Sequence, residues 1–301
     1  METRTRTKAV KSDPVIVSDP PADWIDPMKD PDKANAEIAA LITEASTAEI
    51  PVITLPADDL VNLPGGLLKD GKVTRTVLVK ELNGSDEEAL SRAAQSLNQF
   101  HFVDRLLKLG VLRIGEYPVS LTEKLLGELL IGDREQLILG IRKSTYGEDI
   151  EIDPWNCPSC GVKAKLTFTI DDIPSVKLDD PANKIEFDIE LRKGRTAHVR
   201  LASGNDQITV YEDSELTMAE RQSVLLEKCV EAITDSSGTV HTIAAFPSMI
   251  RTMGMVDRHK ILDALSDGQP GPKYDQIKHK CAACGEDVNV AVGLGNLFLH
   301  I

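Results

Sequence analysis

The chain has 301 residues, of which 42% are hydrophobic and 27% are charged, and its formal net charge is −14. This composition is typical of a globular protein with a substantial core, and the length predicts about two domains. Strong binding to nucleic acid is disfavoured, because it depends on clustered Lys and Arg side chains that displace counterions from phosphates. No apolar run is long enough to span a membrane and no secretory signal follows Met1, so we expect synthesis in the cytoplasm.

Residues 1–50 differ in composition from the rest of the chain. Five of the 16 prolines fall within the first 31 residues, interleaved with Asp and Ser. Such a segment buries too little apolar surface to offset the entropy of ordering, so we predict an extended arm that orders on a partner, with a short helix over 32–45. Trp24 and Ile25 are the candidate partner-binding residues of this arm. The alternative is a leader whose apolar residues have no binding role.

Local patterns after residue 60 predict both strands and helices. Alternating apolar residues predict a strand over 75–82 and a hairpin over 184–201. Capping boxes, in which a hydroxyl residue precedes a glutamate by three positions, mark three helix starts. These starts are Ser85, Ser120 and Thr217. A further helix begins at Asp133. Helical and strand periods alternate without a regular βαβ rhythm, which predicts an α+β fold of capped helices and antiparallel hairpins.

Four of the five cysteines stand in two similar patterns, C-P-S-C-G and C-A-A-C-G, and the four are Cys157, Cys160, Cys281 and Cys284. A two-residue spacer lets both thiolates of a tight turn reach one metal, and the following glycine accepts the positive φ that leads into the next strand. Two such knuckles supply the closed sulfur set of a zinc ribbon, so we predict one structural Zn²⁺. Buried free thiols and a redox-active pair are the alternatives. Cys229 is predicted to be an inert core thiol.

The two knuckles share a longer frame. Aligning Asp133 with Asp257 without a gap places Arg134 on Arg258 and superimposes the two cysteine patterns. The apolar alternation after each knuckle has the same phase. We therefore predict a helix–loop–knuckle–strand unit that is used twice, with its copies facing each other across one metal.

The predicted domains follow from these features. The extended arm covers 1–50, a strand and helical region covers 51–156, and a β-rich and helical region closed by the second knuckle covers 157–301. We expect 51–301 to form one interlocked body. No G-x-S-x-G, H-E-x-x-H or Walker pattern occurs, and the six histidines are scattered. We predict no catalytic residue, no organic cofactor and no enzymatic activity, and we expect His198 to face solvent.

One passage resembles a known family. The stretch L-I-G-D-R-E-Q-L-I-L from Leu130, followed by S-T-Y-G before the first knuckle, resembles the signature of the T-even-type phage baseplate protein family. The likeness extends through the 184–201 hairpin and F-P-S-M-I at 246–250 to G-L-G-N-L-F at 293–298, and it covers roughly residues 60 to 301. The arm lies outside it.

The resemblance implies a structural or assembly protein of the baseplate hub of a contractile phage tail. Its partners would be other hub and tail proteins, with the tape measure as one candidate, and neither nucleic acid nor membrane. It would be found in the host cytoplasm during assembly, and the family leaves open whether it then stays in the tail baseplate of the virion or leaves after assembly. The alternatives are a zinc-ribbon nucleic-acid-binding or regulatory protein, which the charge of −14 disfavours, and an enzyme of unrecognised type.

Overall fold

The computed structural model of the chain describes residues 29–47, 59–95, 99–290, 292–293 and 297–298. The chain divides into two units, Met1–Thr54 and Leu55–Ile301. In the first unit, helix α1 (Pro31–Thr47) covers the helix predicted over 32–45. Asp30 precedes it and accepts a hydrogen bond from the backbone N–H of Lys33. The other residues of the predicted arm, including Trp24 and Ile25, lie outside the described residues, so the arm itself stays a prediction.

The second unit begins with a run of elements that we call the first repeat (59–169). In chain order its elements are β1 (Asp59–Lys69), β2 (Lys72–Val79), α2 (Gly84–Ala94), α3 (Gln99–Gly110), β3 (Val111–Ile114), α4 (Thr122–Glu128), α5 (Ile131–Tyr146), β4 (Asp149–Asn156) and β5 (Lys163–Thr169). Two short elements follow, β6 (Ser175–Val176) and α6 (Pro181–Lys184).

The remaining elements form the second repeat (186–290). They are β7 (Glu186–Leu191), β8 (Arg195–Arg200), α7 (Gly204–Glu212), α8 (Met218–Cys229), β9 (Val230–Thr234), β10 (Val240–Thr242), α9 (Ser248–Thr252), α10 (Met255–Gly268), β11 (Gly271–Pro272), β12 (Ile277–Lys280) and β13 (Asp287–Val290). Mixed helices and antiparallel strands make the protein α+β. No helix in the described part of the chain is long and apolar enough to cross a membrane.

The two repeats have the same topology. In the first, strands pair in the order β1-β2-β3, and in the second β7-β8-β9 pair in the same way, with β10 added outside β9. Two helices connect the second and third strand of each sheet, two more follow the third strand, and each repeat ends in a separate hairpin, β4–β5 or β12–β13. The duplication therefore extends well beyond the unit predicted around the knuckles.

Helix capping repeats as well. The side chain of Asn83 accepts a hydrogen bond from the backbone of Asp86 at the start of α2, and Asp86 reaches back to the Asn83 backbone. Ser203 and Asp206 form the same reciprocal box at the start of α7. Both boxes satisfy N–H groups of a first helical turn that have no partner within the helix.

The capping aspartates bind a cation located at or just after the end of the preceding strand in each repeat. Lys80 Nζ lies 2.5 Å from the carboxylate of Asp86. Arg200 instead binds Asp206 through two nitrogens, at 2.7 and 2.9 Å. The positions are equivalent but the ion pairs have different geometry.

An arginine at the fourth position of a helix also recurs, buried in the first repeat and half-buried in the second. Arg134, the fourth residue of α5, donates to the carbonyl of Leu126 in the preceding helix. Arg258, the fourth residue of α10, donates to the carbonyl of Ile250 in α9. Each arginine thereby ties two consecutive helices of its repeat together.

The core explains how the repeats are joined. One buried cluster combines the first sheet, its helices and the β4–β5 hairpin, and it also includes Ile277 and Val290 from the β12–β13 hairpin of the second repeat. A second cluster lies between β7–β9 and the helices α8 and α10. The second knuckle hairpin therefore packs against the core of the first repeat, next to the first knuckle hairpin.

The structure confirms two local predictions. The 184–201 hairpin is β7–β8, with Ile189 and Leu191 buried on one face and Glu190 exposed between them. The capping box at Thr217 begins α8, where Thr217 accepts from the backbone N–H of Glu220.

Two predicted helix caps are wrong. Helix α2 is capped by Asn83, whose side-chain oxygen accepts from the N–H groups of both Ser85 and Asp86, so Ser85 is already inside the helix. Ser120 lies within a short 3₁₀ turn, Val119–Leu121, that follows Pro118, and α4 begins afterwards without a side-chain cap. In both places a competing residue, an asparagine or a proline, sets the local turn.

The first predicted strand has shifted bounds. Strand β2 spans Lys72–Val79, whereas the alternation predicted 75–82. The strand starts earlier because Asp70 and Gly71, both with positive φ, form a tight turn that pairs Lys69 with Lys72.

Candidate metal centre

The first knuckle is the turn of the β4–β5 hairpin. The backbone N–H of Cys157 donates to the carbonyl of Val162 at 3.0 Å, and the N–H of Gly161 donates back to the carbonyl of Cys157 at 2.8 Å. Gly161 has a φ of 71°, a conformation that costs a residue with a Cβ atom more than it costs glycine. The predicted boundary between 156 and 157 falls at the start of this turn, and the predicted division into domains stays a prediction.

The second knuckle has the same backbone geometry. In the β12–β13 hairpin the N–H of Cys281 donates to the carbonyl of Glu286 at 3.0 Å, and the N–H of Gly285 donates to the carbonyl of Cys281 at 2.8 Å. Gly285 has a φ of 74°. The C-x-x-C-G sequence therefore adopts one conformation at both places.

The two turns bring the four sulfur atoms together. The Sγ atoms of Cys157 and Cys284 are 4.0 Å apart, and those of Cys160 and Cys281 are 3.9 Å apart. All four ligand atoms lie within 4.8 Å of one another. A tetrahedron with zinc–sulfur bonds of 2.3 Å has sulfur–sulfur distances of about 3.8 Å, whereas a disulfide bond is about 2.0 Å. The cluster therefore has the size of a four-thiolate metal site and contains no disulfide.

Each knuckle places its two sulfurs differently with respect to solvent. The first cysteine of each pattern, Cys157 or Cys281, is buried, and the second, Cys160 or Cys284, is exposed. The buried pair contacts Val288 and Trp155, whose ring meets His279 edge-on at 5.3 Å. The apolar contacts fix the inner half of the cluster.

Backbone N–H groups stabilise the thiolate of Cys281. Hydrogen bonds from the N–H groups of Cys284 and Ala283 lower the pKa of Cys281 to about 7. A depressed pKa favours the thiolate, which is the form that binds metal. Despite a hydrogen bond from the backbone of Val162, burial and the hydrogen-bonded thiols raise the pKa of Cys160 to about 11. The spacing of the four sulfurs, all within 4.8 Å of one another, is the feature that suits one metal ion.

Cys229 is separate from this cluster. It is fully buried in the second core at the end of α8, and burial raises its pKa to about 12. It has the environment predicted for a core thiol.

Sequence reasoning missed the role of one buried carboxylate. Asp133, the third residue of α5, accepts hydrogen bonds from the backbone N–H groups of Gly65 at 2.6 Å and Gly66 at 2.9 Å. A Cβ atom at Gly65 would lie 2.7 Å from the carboxylate, so this position has room only for glycine. The P-G-G sequence was the available signal, because paired glycines permit such a close backbone approach.

His198 is half-exposed on β8, in agreement with its prediction as a solvent-facing residue, but it does not stand alone. Its imidazole lies close to the carboxylates of Glu186, Asp188 and Glu231. The sequence pattern placed Glu186 and Asp188 on the neighbouring strand of the hairpin, but it did not indicate Glu231.

Comparison with known proteins identifies the family. No curated protein and no solved structure matches the chain. The family model described as T4 bacteriophage base plate protein matches residues 77–299, which include both cysteine knuckles and most of both repeats. Because the match covers most of the chain, the protein belongs to the T4 bacteriophage base plate protein family.

Proposed function

We propose that the protein is a structural or assembly component of the baseplate hub of a contractile phage tail and that it acts by binding other hub and tail proteins. The family match over residues 77–299 is the main support for this proposal. The net charge of −14 supports protein partners over nucleic acid.

The four-cysteine cluster holds one structural Zn²⁺ in this proposal. Four thiolates at near-tetrahedral spacing form a closed set, which leaves no position for water or substrate. When bound, zinc supplies a crosslink between hairpins that are far apart in sequence. The backbone turn of each knuckle orients both of its sulfurs before the metal binds. This orientation reduces the conformational entropy that is lost on binding.

The N-terminal arm is proposed to bind another tail protein, with the tape measure as one candidate. Trp24 and Ile25 are the anchors, since a buried aromatic or aliphatic side chain contributes about 1 to 3 kcal/mol to binding. The proline-rich sequence around them lowers the chance that the segment folds by itself.

Tail assembly in cells tests the hub role, the zinc site and the arm. A phage that lacks this gene is complemented with the wild-type chain, with Cys281→Ser, with Cys229→Ala or with a deletion of residues 1–45, and complete tails are counted by electron microscopy. We expect Cys281→Ser and the deletion to reduce assembly, and Cys229→Ala to support it. Normal assembly with the deletion would contradict the arm's role. Complete tails in the absence of the whole chain would contradict the hub function.

A further inference from the structure

The outer face of the second sheet carries an oriented histidine. Asp188 on β7 and His198 on β8 are directly paired across the strands. The Nδ1 atom of His198 lies 2.8 Å from an oxygen of Asp188. A carboxylate on one ring nitrogen fixes the tautomer and the orientation of an imidazole, and metal-binding histidines regularly have such a partner.

The other nitrogen of the same ring faces two further carboxylates. His198 Nε2 lies 3.6 Å from Glu231 Oε2 and 3.9 Å from Glu186 Oε2. One ligand atom from each of these three residues falls within 4.8 Å of the others. The three ligand atoms thus lie close to one point, and Asp188 orients the imidazole ring through its other nitrogen.

A β-bulge brings Glu231 to this position. His198 pairs with Ala232 and Val199 pairs with Val230, so Glu231 is an extra residue in β9. A bulge of this kind redirects a side chain. Here Glu231 is brought beside the imidazole.

The first sheet has the same bulge without the cluster. Leu78 pairs with Arg113 and Val79 pairs with Val111, which leaves Leu112 as the extra residue of β3. Leu60, Leu78 and Leu112 of the first repeat therefore occupy the positions of Asp188, His198 and Glu231 in the second. The fold forms with leucines at these three positions, so folding does not explain the charges of Asp188, His198 and Glu231.

Electrostatics favours a cation at this point. Three carboxylates surround one imidazole, and among the ion pairs of the described residues these three carboxylates pair only with His198. Arg200 lies opposite Glu186 in the sheet, but both of its terminal nitrogens bind Asp206. The three carboxylates raise the pKa of His198, chiefly through its hydrogen bond with Asp188, so a proton on the imidazole and a divalent cation compete for the same negative charge.

We propose that Glu186, His198 and Glu231 bind a divalent first-row transition-metal ion, of the Mn²⁺ or Zn²⁺ class, and that Asp188 orients His198 for this. A mixed imidazole and carboxylate set suits these ions and differs from the four thiolates of the knuckles. Three protein ligands leave coordination positions for water or for a donor group from another molecule.

Titration of the zinc-loaded full chain with MnCl₂ tests the site. Mn²⁺ is the probe because it prefers oxygen and nitrogen donors and does not compete for the thiolate cluster. Electron paramagnetic resonance measures free Mn²⁺, and NMR line broadening locates the bound ion. We expect one Mn²⁺ per chain and broadening centred on β7, β8 and β9.

Substitutions distinguish a specific Mn²⁺ site from general attraction of Mn²⁺ to an acidic surface. His198→Gln and Glu231→Gln should each raise the Kd for Mn²⁺ at least about tenfold, and Asp188→Asn should raise it about tenfold through the loss of ring orientation. His241→Gln is the matched control, because His241 in the same sheet contacts the single carboxylate Asp235. Its Kd should stay within about twofold of the wild-type value.

Three results would overturn the proposal. They are the absence of a bound Mn²⁺, a Kd that neither His198→Gln nor Glu231→Gln changes, and an equal loss of binding in His241→Gln. His198 is 42% exposed in its side chain, so its replacement does not open the core, and circular dichroism verifies the fold of each variant.

Discussion

The two repeats place a buried aspartate at the same position and give it opposite electrostatic environments. Asp133 and Asp257 are each the third residue of a helix, both are fully buried, and both bind the hairpin that opens their repeat. Asp133 is held by two backbone N–H groups. Burial outweighs these bonds and raises the pKa of Asp133 to about 6.

Asp257 has charged partners. The backbone and side chain of Arg192 donate to one oxygen, and Arg195 donates to the other at 2.6 Å. Burial alone would raise the pKa of Asp257, but these hydrogen bonds and the two guanidinium charges outweigh it and lower the pKa below its usual range. Both repeats thus place a hydrogen-bond acceptor at the third residue of the helix. Each repeat balances the negative charge of that aspartate differently.

The repeats also differ in what packs against the N-terminal end of the helix that carries this aspartate, α5 in the first repeat and α10 in the second. The start of α5 packs against the second repeat, where Gly132 meets the backbone of Pro270 and Gly271. At the equivalent start of α10, Met255 and Val256 are exposed. One copy of the unit is therefore an internal part of the body, and the other presents the same surface to solvent.

Removal of the proposed zinc ion should change the protein more than any of the substitutions below. A structural zinc site contributes on the order of 10 kcal/mol of apparent binding energy, so chelation should release both knuckle hairpins together. We expect amide hydrogen exchange in β4–β5 and β12–β13 to accelerate by at least about a thousandfold, with a smaller change in β7–β9. Acceleration in only one hairpin would contradict a shared site.

The next effect concerns the helix starts. Gly132→Ala would place a methyl group onto the carbonyl oxygen of Pro270, a backbone atom that cannot move without shifting the second repeat. We expect a loss of roughly 3 kcal/mol or more in the free energy of unfolding, measured with urea. Val256→Ala, at the equivalent exposed position, should change it by about 0.5 kcal/mol at most. Equal losses of stability in the two variants would show that the starts of α5 and α10 do not differ in packing.

The buried aspartates should respond to pH with opposite signs. The folded-state pKa of Asp133 is raised, so its contribution to stability is full below about pH 4 and is lost as the pH rises through 6. The cost of Asp133→Asn should therefore fall by about 2 to 3 kcal/mol between pH 4 and pH 7.

Asp257 should behave in the opposite way. Its lowered pKa means that its contribution is present above the unfolded value near 4 and is lost as the pH falls through the folded value. The cost of Asp257→Asn should be greatest at pH 7 and should decline in acid. Parallel pH profiles of urea unfolding for the two variants would contradict the comparison.

The smallest effect is expected at the capping ion pairs. Arg200→Lys replaces a two-nitrogen contact with Asp206 by one, which is the geometry that Lys80 and Asp86 already have. We expect a loss of about 1 kcal/mol in the free energy of unfolding. Lys80→Arg, the reciprocal change, should be stabilising or neutral. A larger loss in Lys80→Arg than in Arg200→Lys would show that the two pairs are not equivalent.

The sequence predicted features that depend on short, regular spacing. Two C-x-x-C-G patterns and the frame from Asp133 to Asp257 were enough to indicate a repeated unit and a four-sulfur cluster. The sequence did not indicate that the repeat also includes the opening sheets. Asn83-Gly84-Ser85-Asp86 and Ser203-Gly204-Asn205-Asp206 are equivalent, but Ser and Asn exchange places, and only the capping geometry relates them.

Contacts between distant segments could not be predicted. Gly65 and Asp133 are 68 residues apart, and no periodicity in either segment specifies the other. The same holds for Glu231, whose position beside His198 depends on a bulge in strand pairing and not on either strand's pattern. Local residue chemistry predicted the elements, and packing between elements decided which side chains meet.

Native mass spectrometry of the full chain, purified anaerobically, measures whether the two knuckles share one metal. We expect one Zn²⁺ per chain in the wild-type protein and in Cys229→Ala, and none in Cys157→Ser or Cys281→Ser, because each knuckle supplies half of one site. A folded wild-type chain without metal and with four freely titrating thiols at the knuckles would contradict it.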